Sequence, residues 1–359
     1  MDVEVGPSAD VTVERRHRSE RFLSTISRFG RIVLASHVNP DPDALASMLG
    51  IRALVEQRQP GKEIILTVEG MIARAENQAM VDLIPIEMVP VESVEIDQET
   101  ALVMVDTQPR TGRRASEAST PTAVLDHHDT GGVLEGVEFV DLRPHLGATS
   151  TMVTGYLLEQ GVSVGPRLAT ALLYGIDSEI EGFPREAGPL DDGALVWLFP
   201  RADKDLLAQI RHPKLPQSHF ATFQHGLSNA FLYRDVIVSW LGPVTQPDIV
   251  AEMADFFIRF DQVNWALTVG RFGDILKLSL RVDHLGAHSG DVLREVVAGI
   301  GTAGGHDKRA GGAVPLPKAD SATVDVYLTL IRRRLLERLK VEERQGRHLV
   351  EACPTIAAP

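Results

Sequence analysis

The sequence predicts an α/β protein: an N-terminal domain built on a parallel sheet, a helical connector, and a smaller C-terminal α/β domain. Three observations carry this. Between about Arg31 and Leu142, short β-rich runs alternate with stretches that can be helical. Polar and charged groups gather where those runs end, as expected at the carboxyl edge of an open parallel sheet. A chain of 359 residues, ordinary in its hydrophobic and charged content, is also long enough for two cores.

The expected strands of the first domain are RIVLAS, EIILTV, ALVMVD, TAVLDHH and EFVDL. Behind the first, ALASMLGIRALVEQR starts a helix that Asp41 or Asp43 caps. Helical segments follow in TSTMVTGYLLEQ, PRLATALLYGI and DDGALVWLFPRADKDLLAQI. From Arg211 to Gly226, prolines and histidines without a clear period read as a connection between domains. Beyond it stand RDVIVSWLG, a helix in PDIVAEMADFFIRF, paired strands WALTVGRF and ILKLSLRV, a glycine-rich segment, and a last helix in VDVYLTLIRRRLLERLK.

Charge and composition narrow the function. There are 36 basic and 49 acidic residues, a net of −13, so a broad electrostatic grip on duplex nucleic acid is not expected and an anionic substrate must be met locally. The single cysteine, Cys353, offers neither a disulfide framework nor a thiolate metal site. No apolar run approaches about 18 residues and the acidic start lacks a secretory pattern, so the expectation is a cytoplasmic protein without a membrane partner.

The chemistry gathers at three strand ends: His37, Asp41 and Asp43 after the first run, Asp106 after ALVMV, and Asp126, His127 and His128 at the end of TAVLDHH. One histidine after a strand is an ordinary structural residue. Three such ends would leave carboxylates crowded against an apolar sheet edge, where repulsion raises their pKa values unless cations intervene. Oxygen-rich ligation with some imidazole and no sulfur suits manganese or magnesium, and the ligands suffice for two ions about 3.5–4 Å apart.

These residues carry a resemblance. The sequence resembles the DHH phosphoesterase superfamily, through the triplet Asp126-His127-His128, the motif SHVNPDPDA, the aspartate of VMVDTQPR, and GGHDKRAGG, which is similar to the signature of the DHH-associated C-terminal domain. The oligoribonuclease and 3'-phosphoadenosine-5'-phosphate phosphatase type, the RecJ-like type and dinucleotide phosphodiesterases share the layout. The resemblance implies two Mn2+ ions, with Mg2+ or Co2+ as alternatives. His37, Asp41 and Asp106 would hold one, and Asp43, Asp106 and His127 the other, with Asp106 bridging. His128 would face the scissile phosphate and Asp126 would orient an imidazole.

Two departures stand out. Pro42 replaces a glycine in the first motif, which sets φ at about −65° there. In GIDSEIEGF the fourth-motif ligand falls on Glu179 by counting from Gly175, while Asp177 lies two residues earlier, and either can be the ligand. The resemblance further implies that Arg281, Gly304, Gly305 and His306 bind the substrate's phosphate and sugar across an interdomain cleft. Arg110, Arg185 and Lys308 are further candidates, each read in preference as an ordinary surface charge.

The implied divisions are an N-terminal extension (1–25), the DHH metal-binding domain (26–195), a helical connector (196–234), the DHH-associated substrate-binding domain (235–320), and a C-terminal helix and tail (321–359). The implied activity is hydrolysis of short oligoribonucleotides, dinucleotides or similar nucleotides, in a chain that can form a homodimer. Alternatives are an inorganic pyrophosphatase or exopolyphosphatase, and a dinucleotide-binding sensor with weakened catalysis.

Overall fold

Ahead of the first expected strand the chain is already helical: α1 spans Ala9–Ile26, and Phe22 and Ile26, one turn apart, are fully buried. The expected extension therefore contributes to the core of the first unit. The computed structural model describes residues 9–72, 74–111, 119–129, 131–180, 188–305, 307–342 and 346–350. Two compact units divide between Pro213 and Lys214.

In the first unit the five expected runs form β1 (Arg31–Ala35), β2 (Glu63–Val68), β4 (Thr100–Val105), β5 (Ala123–Asp126) and β6 (Phe139–Leu142), with α2 (Pro42–Arg58) between the first two and α3 (Ala75–Leu83) and a two-residue β3 (Val89–Pro90) between β2 and β4. They pair in the order β3-β2-β1-β4-β5-β6, every pair parallel. All six residues of β4 are buried, which is why its sequence is a continuous apolar run with no alternation. The order reverses direction between β1 and β4, a topological switch point where an open sheet leaves a crevice beyond its carboxyl ends.

Helix α2 starts at that crevice. Asp41 is its N-cap, accepting from the Ala44 N–H at 3.0 Å, and Pro42 takes the first helical position, where its ring needs no hydrogen bond. The departure from glycine is thus absorbed by the helix start. Residues 42–51 of α2 are buried on every face, since α4 (Thr149–Glu159) and α5 (Pro166–Ile180) also pack on it. The stretch read as one helix from Asp191 breaks into α6 (Pro189–Leu198) and α7 (Lys204–Arg211). Pro200 cannot continue the first, and Asp203 caps the second through the N–H groups of Asp205 and Leu206. Both helices belong to the first unit.

The second unit opens with α8 (Gln217–Ser228), where the sequence had suggested an irregular connection. Its inward face is buried His219 and Gly226 with half-buried Phe223 between them at helical spacing, a stripe that two non-aliphatic residues conceal. At Gly226 a Cβ would sit 2.7 Å from Leu241 and 2.9 Å from Met253, so glycine permits the close approach. The expected connector 196–234 is accordingly shared between the two units. There follow β7 (Ala230–Tyr233), β8 (Val236–Pro243), α9 (Ile249–Phe257), β9 (Trp265–Phe272), β10 (Ile275–Val282), α10 (Ser289–Val296), β11 (Thr302–Gly305), β12 (Arg309–Pro315), α11 (Ser321–Arg338) and β13 (Arg347–His348).

The sheet order is β11-β12-β10-β9-β8-β7-β13, with β8 and β9 parallel and the other pairs antiparallel. The glycine-rich segment is the edge hairpin of this sheet. Among the described residues no helix is long and apolar enough to cross a membrane.

Candidate metal centre

Asp106 is the centre of the site. It follows β4 directly and takes a left-handed backbone, φ 59°, which only a few residue types adopt without strain. Its N–H still bonds the Leu125 carbonyl at 2.8 Å, and its buried carboxylate accepts from the Thr149 hydroxyl at 2.8 Å. From β1, His37 sets Nε2 3.5 Å from both Asp41 and Asp106 while its Nδ1 meets the Val38 carbonyl at 3.0 Å. From β5, His127 is built the same way: Nδ1 meets the Leu146 carbonyl at 3.1 Å, and Nε2 lies 3.6 Å from Asp106 and 3.9 Å from Asp43. A carbonyl can only accept, so each Nδ1 carries a proton and each Nε2 is the nitrogen turned toward the carboxylates.

Asp43 is fully buried, and its two oxygens accept from the Thr149 and Ser150 N–H groups, each at 2.7 Å. It thereby caps α4, whose own N-cap, Ala148, has no side chain able to do so. His128 differs from the other two imidazoles: its Nδ1 is 2.7 Å from Asp126, which also accepts its backbone N–H at 3.2 Å.

The electrostatics show a centre short of positive charge. Burial, then repulsion from Asp106, pushes the Asp43 carboxyl up to about 7. Burial and the carboxylates of Asp41, Asp43 and Asp106 hold the Glu179 carboxyl well above the usual range. Burial works against the charge on His127, yet Asp106 and Asp43 outweigh it and raise the imidazole to about 9. His37 is likewise raised against its burial, by Asp41 and Asp106. Burial alone would raise Asp126, but its bond to His128 keeps it low.

The fourth-motif alternatives separate on the helix. A Cβ on Gly175 would meet Ser150 at 2.7 Å and the Pro42 carbonyl at 3.1 Å, so this face of α5 looks onto the start of α2. Glu179 is one turn further along the same face, among the acidic groups. Asp177, two residues from Gly175, is turned away and pairs with Arg211 of α7 at 2.5 Å.

Among the described residues, two sets of groups can each surround a cation: His37, Asp41 and Asp106, and Asp106, His127 and His128, sharing Asp106. The donor set fits divalent metal. The His127 Nε2 is buried without a hydrogen-bond partner, a costly state that a cation would relieve. Residues 31–176 match the DHH family, N-terminal domain. The first unit thus carries a DHH-family N-terminal domain.

The chain is similar to further proteins. An uncharacterized protein of Methanocaldococcus jannaschii, MJ1633, is 28% identical over 320 residues, 88% of this chain and 65% of its own length. The cyclic-di-AMP phosphodiesterase GdpP of Geobacillus thermodenitrificans is 28% identical over 211 residues, 55% of this chain and 32% of its own. The chain thus spans less than two thirds of either relative. An exopolyphosphatase-related protein of Bacteroides fragilis has the same fold, with a TM-score of 0.72 over 90% of this chain and 98% of its own at 16% identity.

The expected substrate groups lie in the second unit. Arg281 on β10 is buried, its guanidinium paired with Asp255 of α9 and donating to the Ser279 hydroxyl at 2.8 Å. Gly304 and Gly305 end β11, exposed, and Lys308 donates to the Asp283 carbonyl at 2.5 Å. His306 and Arg185 lie outside the described residues.

Sequence reasoning missed several groups that build the centre. Thr149 and Ser150 had registered only as a helix start. Asp191 accepts from Gly147 N–H at 3.0 Å and the Thr151 hydroxyl at 2.6 Å, supporting the turn that supplies the Leu146 carbonyl. Gln108 sits in the quoted motif VMVDTQPR, which had been read for its aspartate alone.

Proposed function

We propose that this chain is a divalent-cation-dependent hydrolase of a phosphoester in a short nucleotide: a short oligonucleotide, a dinucleotide, or a 3'-phosphoadenosine-5'-phosphate-like molecule. The observation that carries this reading is the sharing of Asp106 between two cation-sized clusters beyond β1, β4 and β5. We assign His37, Asp41 and Asp106 to one ion, and Asp106 and His127 to the other, with Asp43 and Glu179 completing that set in place of His128, whose Nδ1 is held by Asp126, and with manganese as the cation. Asp177 is set aside because its carboxylate is engaged by Arg211.

Two such cations, when bound, supply an activated water and neutralise charge on the phosphate oxygens. The chain's own groups then do the positioning. The Val38 and Leu146 carbonyls hold the two ligating imidazoles in one tautomer, and the Thr149 hydroxyl steadies Asp106. His128, with its Nδ1–H committed to Asp126, turns Nε2 to the substrate, where it donates to a phosphate oxygen when the ring carries its second proton. The acidic net charge supports a short substrate, and the description of GdpP as a cyclic-di-AMP phosphodiesterase supports one of dinucleotide size. Arg281, Gly304, Gly305 and His306 are its proposed contacts in the second unit, where Arg281 would share its fork between Asp255 and a phosphate.

The test is hydrolysis by the purified chain of a linear dinucleotide, a bisphosphorylated adenosine and pyrophosphate, with Mn2+ and with chelator. Cation-dependent cleavage of one of the nucleotides is expected. Cleavage of pyrophosphate alone would point to the pyrophosphatase alternative. Tight dinucleotide binding without cleavage under saturating Mn2+ would point to a sensor.

A further inference from the structure

Gln108 stands two residues after Asp106 and is buried. Its Nε2 donates to Asp126 Oδ2 at 2.8 Å and lies 3.2 Å and 3.4 Å from the carbonyl oxygens of Asp129 and His128. Its Oε1 accepts from the Gly131 and Gly132 N–H groups at 3.2 Å and 3.1 Å. Chemistry dictates the amide's orientation: exchanging N and O would set an oxygen against three oxygens and an NH2 against two N–H groups. The fit is close, since a Cβ on Gly132 would be 2.6 Å from the Gln108 Cβ.

Asp126 is thus held from both sides. Oδ2 takes the Gln108 amide, and Oδ1 takes the backbone N–H and Nδ1 of His128. A carboxylate anchored at one oxygen cannot rotate freely about its last bond, so the direction of the other oxygen, and the ring it orients, is fixed by the anchor.

We propose that Gln108 is a positioning residue for His128: it clamps Asp126, and the clamped carboxylate holds the imidazole in the Nδ1–H tautomer that presents Nε2 to the substrate. The consequence for catalysis rests on the phosphoesterase reading above. The clamp itself does not.

Two variants of the full chain test it. Gln108→Met keeps the length of the side chain without donor or acceptor. Gln108→Glu keeps an oxygen for Gly131 and Gly132 but replaces the donor that faces Asp126. Histidine-selective 15N spectra with diamagnetic Mg2+ report the tautomer of His128, assigned by the resonance lost in His128→Gln.

The expected result is a single Nδ1–H tautomer in the wild type and a mixture in both variants, with kcat lowered about 10- to 100-fold and KM changed less than about threefold. Wild-type tautomer and kcat in Gln108→Met would overturn the proposal, as would a rise in KM at unchanged kcat. If Gln108→Met loses its cooperative melt, Gln108→Glu decides on the same readouts, and wild-type behaviour there reduces Gln108 to a loop anchor. A wild type that cleaves no phosphoester removes the functional reading, while the tautomer still decides the clamp.

Discussion

Removing divalent metal should make the stability of this protein fall as pH rises through neutrality, and Asp43 provides the magnitude. In the folded chain its carboxyl is pushed from an ordinary 3.8 up to about 7, by burial and by Asp106. A carboxyl raised on folding binds its proton more tightly in the native state. Its contribution is fully present below about pH 4, is lost between about pH 4 and 7, and stays lost above. At about 1.4 kcal/mol for each tenfold change in proton affinity, the loss is about 4 kcal/mol, an upper figure because a metal-free site can relax and admit water.

His127 acts in the same direction, since a raised imidazole also loses its stabilisation as pH climbs toward about 9. Its charge and that of Asp43 are 3.9 Å apart and titrate together, so the two contributions do not add. For a unit of this size about 4 kcal/mol corresponds to roughly 10 °C in Tm. Metal reverses the trend, because it binds the deprotonated ligands, and at about a thousand times its Kd it restores about 4 kcal/mol. The assay is a set of thermal melts between about pH 5 and 8, in chelator and in saturating Mn2+. A chelated Tm that is flat or rises over that range would refute the reasoning, as would a Mn2+ increment no larger at about pH 8 than at about pH 5.

Asp106→Asn should keep the fold, because asparagine tolerates the left-handed backbone, and should lower kcat about 10³-fold or more; circular dichroism and turnover check the two halves. Glu179→Gln should weaken Mn2+ binding and be partly rescued by excess Mn2+, whereas Asp177→Asn should cost under about 1 kcal/mol of stability, as for an exposed ion pair, and leave turnover within about twofold. The opposite ranking in a Mn2+ titration would exchange their roles. Gly175→Ala should cost about 1–3 kcal/mol in denaturant melts, because the new methyl would press on Ser150 and on the start of α2. Arg281→Ala should raise KM for a nucleotide and also destabilise the second unit by leaving Asp255 without its guanidinium, a loss read in the same melts.

Much of the protein was legible in its sequence because the signals are local. Five strands of the parallel sheet announced themselves as apolar runs bounded by turns, and their last residues gave Asp106, Asp126 and His127. The cap at Asp41 was legible because a side chain three residues from an N–H needs nothing but the local backbone to reach it. The tertiary structure decided what depends on how elements cross. Strand order alone puts β4 beside β1, and so brings the His37 Nε2 within 3.5 Å of Asp106. The rotation of α5 separates Glu179 from Asp177, although both are carboxylates in one short motif. Asp43 reads as a second helix cap or a ligand, and only the approach of α4 shows it capping a helix 106 residues away. Gln108 and Asp191 carried no signal at all, because an amide or carboxylate that organises a loop is chemically the same as one on the surface until folding buries it. Patterns along a chain encode which segments bury which faces, whereas a catalytic centre is made where those segments converge, and convergence is a property of packing between residues far apart in sequence.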